Sequence, residues 1–190
     1  MLGAIMAKII TTVGTSIISN FVNGIEGKFD SSKSIKMQLE NIEKKPYSYL
    51  TKLSDEIQKI KSELLPFLQK HKEDASAEIN SINKIISTKL NEPSIVYLIC
   101  TDSIEAHLCA ELIKESKLIK NVIDYKIENV QSLQVFNYNE YKIGLVNLVT
   151  KLYEIIFDKN DKDRLPDKKE NEYKEKVKTV FNITGGFKGI

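Results

Sequence analysis

AKIITTVGTSIISN, residues Ala7 to Asn20, is the stretch whose reading decides the fold. Lys8-Ile9-Ile10-Thr11-Thr12-Val13 is a short β-branched run of the kind that forms a buried strand. Gly14 permits a tight turn, and Thr15 and Ser16 are N-cap residue types leading into a helix through Ile17, Ile18, Phe21 and Val22. Strand, turn and helix start together place backbone N–H groups and two hydroxyls at one point, an arrangement that attracts phosphate. The same residues serve equally as a βα junction capped for stability alone, because capping needs no ligand.

The pattern recurs along the chain. A second strand follows Pro93, Ser94-Ile95-Val96-Tyr97-Leu98-Ile99-Cys100, apolar throughout as in a parallel strand covered on both faces. Thr101-Asp102-Ser103-Ile104-Glu105 then reads as a capping box, with Asp102 or Ser103 as the cap and Glu105 returning the bond. A helix through Ala106, Leu108, Cys109, Leu112 and Ile113 follows. Val122 to Ile127 is a third short strand, Glu128 to Gln134 reads as a turn, and the next helix carries Tyr141, Leu145, Leu148, Leu152, Ile155 and Ile156. A last strand, residues 178–183, runs into Thr184-Gly185-Gly186-Phe187-Lys188-Gly189-Ile190. Strands alternating with helices predict an α/β fold: a Rossmann-like open, mostly parallel sheet with helices on both faces. Ligands of such sheets bind at the carboxyl ends of the strands, where the three polar turns gather.

Between the first helix and the second strand, Gly24, Gly27 and Asp30-Ser31-Ser32 break the pattern, and about 34–90 reads as a helical insertion interrupted at Pro46 and Pro66. Leu53, Ile57, Ile60, Leu64 and Leu68 form one stripe at helical spacing, and Ala75, Ile79, Ile82, Ile86 and Leu90 another. Both read as core packing. Residues 158–176 hold seven basic and seven acidic side chains around Pro166, a solvated, mobile excursion.

Composition excludes several classes. A chain of 190 residues suits a single domain, 1–190, and 42% hydrophobic with 28% charged residues is ordinary for a globular protein. A net charge of +2 argues against a generic duplex-binding surface, so no duplex nucleic acid partner is expected. No run of about twenty apolar residues exists, so no membrane partner is expected and the protein reads as soluble. Cys100 and Cys109 lack zinc-ligand spacing and read as buried free thiols, which suits a reducing, cytoplasmic location. Neither a metal nor a cofactor is implied. GxxxxGKS and GxGxxG are both absent, so neither an NTPase nor a dinucleotide dehydrogenase is supported. His71 reads as solvated, and His107 as a helix-surface residue with no carboxylate paired to it by spacing. Gly185-Gly186 allows close backbone approach to a ligand, and Lys188 can set a cation beside a phosphate.

TVGTSIISN at 12–20, SAEINSI at 76–82, TDSIEAHLCAELI at 101–113, NVQSLQVF at 129–136, GLVNLV at 144–149 and FNITGGFKGI at 181–190 together resemble a known family. They are similar to the CRISPR-associated Rossmann fold (CARF) proteins of type III CRISPR systems, in the TVGTS/TGGFK branch that includes ring nucleases. The resemblance spans nearly the whole chain. It implies a homodimer that binds cyclic oligoadenylate, a ring of adenosine 3′,5′-phosphates, across its two-fold axis in antiviral defence. By the resemblance, Gly14, Thr15 and Ser16 form the first ligand loop, Thr101, Asp102 and Ser103 the second, and Thr184, Gly185, Gly186, Phe187 and Lys188 the third.

If the ring is cut, the resemblance implies metal-independent attack of a ribose 2′-hydroxyl on its neighbouring phosphate. Ser16 then orients ribose or phosphate, and Lys188 stabilises charge on the phosphorane. The family continues past GGFK with a further helix and strand, whereas the sequence ends at Ile190: the sheet lacks an edge element, or the chain is a fragment. Ribonuclease effectors of the family carry an Arg…His motif; here the only arginine is Arg164 and both histidines precede it. Three readings stand: a sensor of cyclic oligoadenylate, cyclic tetra-adenylate foremost, signalling to an effector domain or partner outside this chain; a stand-alone ring nuclease; and a ligand-free dimerisation scaffold.

Overall fold

Ala7–Val13 forms strand β1, and everything in the domain is laid out around it. The computed structural model describes residues 7–24, 32–42, 45–90, 92–133, 138–157 and 177–183. β1 pairs in parallel with β2 (Ser94–Thr101) on one side and with β4 (Lys178–Asn182) on the other. β3 (Val122–Val130) adds in parallel to the far edge of β2, giving the order β3-β2-β1-β4. The result is a four-stranded, all-parallel open sheet of the Rossmann-like kind.

The strand periodicity sorts side chains onto two layers. Ile9 and Val13 of β1 with Val96, Leu98 and Cys100 of β2 join a core built from α1 (Ser16–Asn23), α3 (Ser54–His71), α4 (Ala77–Lys89) and α5 (Ile104–Ser116). Ile10, Ile95, Tyr97 and Ile99 face the other way and pack with Val130, Leu133 and Ile155 under α6 (Tyr138–Ile156). Helices therefore cover both faces. α2 (Ser32–Ile42) adds buried Leu39 and Ile42 to the first layer. There Phe21 meets Phe67 edge-on, with ring centroids 5.2 Å apart. Each fully buried aliphatic side chain contributes about 1.5–3 kcal/mol.

Two expectations need correction. α3 runs through Pro66 instead of breaking there. Both Pro66 and Ser62, whose carbonyl loses its partner, are exposed, while Ile57, Ile60, Leu64, Phe67 and Leu68 anchor the opposite side in the core. Next, β3 does not stop at Ile127: Glu128 and Asn129 stay in register with Ile99 and Cys100, because both polar side chains find partners from the edge strand, Glu128 in Lys151 and Asn129 in His107. On α6, Leu145 is 37% exposed, and a second apolar set, with Ile143, Val146, Val149 and Tyr153, faces outward. Both stripes of the insertion are buried as expected from their spacing, Leu53 only in part. Residues 1–6 and the charged segment 158–176 lie outside the described residues. No helix among the described residues is long and apolar enough to cross a membrane.

Candidate functional site

In the 3-2-1-4 order the direction in which strands are added reverses between β1 and β4, which themselves run parallel, so the crevice beyond their carboxyl ends is the natural ligand position. Val13 pairs with Cys100 and Thr11 with Asn182. The register therefore sets Gly14, Thr15 and Ser16 beside Thr101, Asp102 and Ser103 at one end of the sheet, with β4 ending there too. Residues 14–16 and 101–103 are all half-buried, as groups at a lined rim would be. Thr184, Gly185, Gly186, Phe187 and Lys188 lie outside the described residues.

The first loop is organised by a side chain that the sequence reading passed over. Glu78, in the first turn of α4, is 1% exposed and takes three hydrogen bonds. The Gly14 N–H donates to its Oε1 (2.9 Å), and the Ser16 hydroxyl (2.6 Å) and Ser76 hydroxyl (2.9 Å) donate to its Oε2. Ser76 is the N-cap of α4, its Oγ accepting from the Ile79 N–H, so capping and carboxylate form one unit. Asn20 on α1 donates to the Asp74 and Ala75 carbonyls and ties α1 to the start of α4 from the other side.

This changes the reading of the turn. The Gly14 N–H and Ser16 hydroxyl, taken from sequence as open to phosphate, are held by a carboxylate instead. Thr15 occupies the N-cap position of α1 but makes no side-chain capping bond. A signal for Glu78 existed: with Ala75 and Ile82 it sits at i+3 and i+7 on an otherwise apolar face, where a charge needs partners.

The second loop follows its sequence more closely. Ser103 is the N-cap of α5, its Oγ accepting from the Ala106 N–H at 3.2 Å, and it lies 3.2 Å from the Thr101 hydroxyl. With Ser103 as cap, Glu105 falls at the second helical position, one short of the position a capping box uses. Asn182, at the end of β4, is buried and donates to the hydroxyls of Thr11 (3.0 Å) and Ser81 (2.7 Å). That pair of bonds ties the end of β4 to β1 and α4.

His107 is not a surface residue. It is 7% exposed, its ring tilted against that of Tyr47, with Nδ1 3.1 Å from Asn129 Oδ1 and Nε2 3.5 Å from Glu111. The i,i+4 spacing to Glu111 was the available signal. The bond from His107 and the nearby Lys61 hold the Glu111 carboxyl below its usual range despite partial burial. Lys61 in turn bonds both Glu111 and Glu115. His71 is half-buried and packs its ring on Phe67.

Cys100 and Cys109 are buried free thiols. Burial, and then the Glu78 charge, push both above the ordinary thiol range, so neither is a nucleophile. Among the described residues no group of three or more His, Cys, Asp or Glu is placed to hold a metal ion.

A family model described as "CRISPR-associated protein (Cas_APE2256)" matches residues 73–189, more than half of the chain. The matched span holds Glu78, Thr101 to Ser103 and Asn182, and leaves out Gly14 to Ser16. No curated protein matches the chain.

Proposed function

As the chain belongs to the CRISPR-associated Cas_APE2256 family and so works in CRISPR systems, we propose that it is a CARF sensor domain for cyclic oligoadenylate. In this reading a homodimer binds the ring, cyclic tetra-adenylate foremost, in the antiviral response of a type III system, and signals to an effector domain or partner protein. The observation that carries it is the register: polar loops after β1 and β2, with the end of β4, meet at the switch point of a parallel sheet. A ring with two-fold symmetry needs the same loops from two subunits, which an isologous dimer supplies. The third loop, Thr184 to Lys188, adds a cation to a site whose first loop carries the Glu78 charge.

A second reading, a metal-independent ring nuclease, is favoured by one specific observation. Ser16 is held in place by Glu78 at 2.6 Å, the kind of fixed group that can hold a ribose 2′-hydroxyl for in-line attack. Lys188 would then stabilise the phosphorane charge, and the products would be linear with 2′,3′-cyclic phosphate ends. Incubating the protein in EDTA with cyclic tetra- and hexa-adenylate and resolving the products separates the two. Intact, protein-bound ring supports the sensor. Linear products lost in Ser16→Ala and Lys188→Ala support the nuclease. Absence of binding to every ring refutes both and leaves a dimerisation scaffold.

A further inference from the structure

We infer that Glu78 is a specificity-determining residue: by accepting the hydrogen bond that the Ser16 hydroxyl donates, it leaves Ser16 only acceptor capacity, so that a ribose 2′-hydroxyl, and not a phosphate oxygen, sits on Ser16. The inference rests on the proposed binding of cyclic oligoadenylate and specifies which ligand atom the first loop reads.

A serine hydroxyl has one proton to give and two lone pairs to offer. The Ser16 proton is committed to Glu78 Oε2 at 2.6 Å, a bond to a carboxylate and hence among the stronger kind. What remains toward the crevice is oxygen lone pairs, which accept from a donor and repel an acceptor. A 2′-hydroxyl is a donor, and a phosphate oxygen is not. The carboxylate itself adds to the discrimination, because a phosphate oxygen placed on Ser16 would stand only two hydrogen bonds, about 5 Å, from a buried carboxylate. Among the described residues no cation pairs with Glu78 to cancel that charge. Ser76, the third donor to the carboxylate, is buried and is the N-cap of α4, so it anchors Glu78 and faces no ligand.

Glu78→Gln inverts this polarity without changing shape. The Gly14 N–H still needs an acceptor, so the amide oxygen takes the Oε1 position and the NH2 group faces the two serines. The amide then donates to Ser16 Oγ, and the Ser16 proton is released toward the crevice. Ser16 becomes a donor, suited to phosphate.

The test measures the ratio of dissociation constants for cyclic tetra-deoxyadenylate and cyclic tetra-adenylate in four proteins: wild type, Glu78→Gln, Ser16→Ala and the double variant. Sugar-pucker differences enter all four ratios alike. Wild type should prefer the ribose ring by about tenfold or more beyond the ratio in Ser16→Ala, the scale of one hydrogen bond at each of two sites. Glu78→Gln should lower the ratio to that of Ser16→Ala, and the double variant should lower it no further. Unchanged melting temperature in Ser16→Ala, a half-buried position, keeps the comparison sound if Glu78→Gln folds poorly. A wild-type ratio equal to that of Ser16→Ala overturns the inference while ring binding stands. An undiminished ratio in folded Glu78→Gln overturns it as well. Failure of wild type to bind either ring overturns the binding reading and this inference together.

Discussion

Gly144→Ala should destabilise the protein, although alanine is the better helix former. A Cβ built at Gly144 would stand 2.3 Å from the Ser132 carbonyl oxygen and 2.6 Å from the Leu133 Cα. Ordinary contact lies near 3.5–4 Å, so the turn after β3 must retreat by about 1 Å. That turn is poorly able to do so. Ser132 is already at φ 60°, the Gln131 carbonyl is tied to Asn147 on α6 at 3.0 Å, and Leu133 is 1% exposed in the core under α6. Helix propensity favours alanine by about 1 kcal/mol. Forcing two backbone segments apart costs about 1–3 kcal/mol or more, and contacts this short belong at or beyond the upper end. The net loss is about 2 kcal/mol, a fall of roughly 4–8 °C in melting temperature for a chain of this size. Thermal unfolding followed by circular dichroism reads it directly. An unchanged or raised melting temperature would refute the close-approach argument and the placement of α6 on the sheet.

Four further outcomes are expected. Asn182→Ala removes one buried and one half-buried hydrogen bond from the end of β4 and should cost about 2–3 kcal/mol in urea unfolding; amide exchange should quicken first at Phe181 and Asn182. Glu111, whose folded carboxyl is depressed chiefly by its bond from His107, adds stability that is complete above the unfolded carboxylate range and fades as pH falls through the folded value. The stability gap between wild type and Glu111→Gln should therefore close between neutral and acid pH; a gap independent of pH contradicts the assignment. Cys100 and Cys109 should resist a thiol reagent in the native state and react fully in denaturant, and prompt native labelling of either would contradict its burial. Lys188→Ala should weaken ring binding by about 1–3 kcal/mol in calorimetry, and unchanged affinity would remove Lys188 from the site.

The parallel sheet was legible because AKIITTV is a β-branched run and the interior of SIVYLICT is apolar throughout, as in strands buried on both faces, and each is followed by a polar turn. β3 was read short because its burial is partial, and edge strands lack that signature. The two loops were found for the same reason as the strands: Gly14 to Ser16 and Thr101 to Ser103 have strong local turn chemistry. Glu78 and His107 were not found as partners because their roles depend on contacts far apart in sequence, Glu78 with Gly14 across 64 positions and His107 with Asn129 across 22. Local patterning marked each as a polar residue on a helix. Only the fold shows that both point inward, and that the turn read as an anion cradle already holds a carboxylate.

Titration calorimetry of the intact chain with cyclic tetra-adenylate tests the central claim most directly. The account predicts saturable binding at one ring per two chains, with light scattering showing a dimer and with affinity falling as salt rises. Absence of heat with rings of three to six adenylates, or a monomer binding one ring per chain, would contradict it.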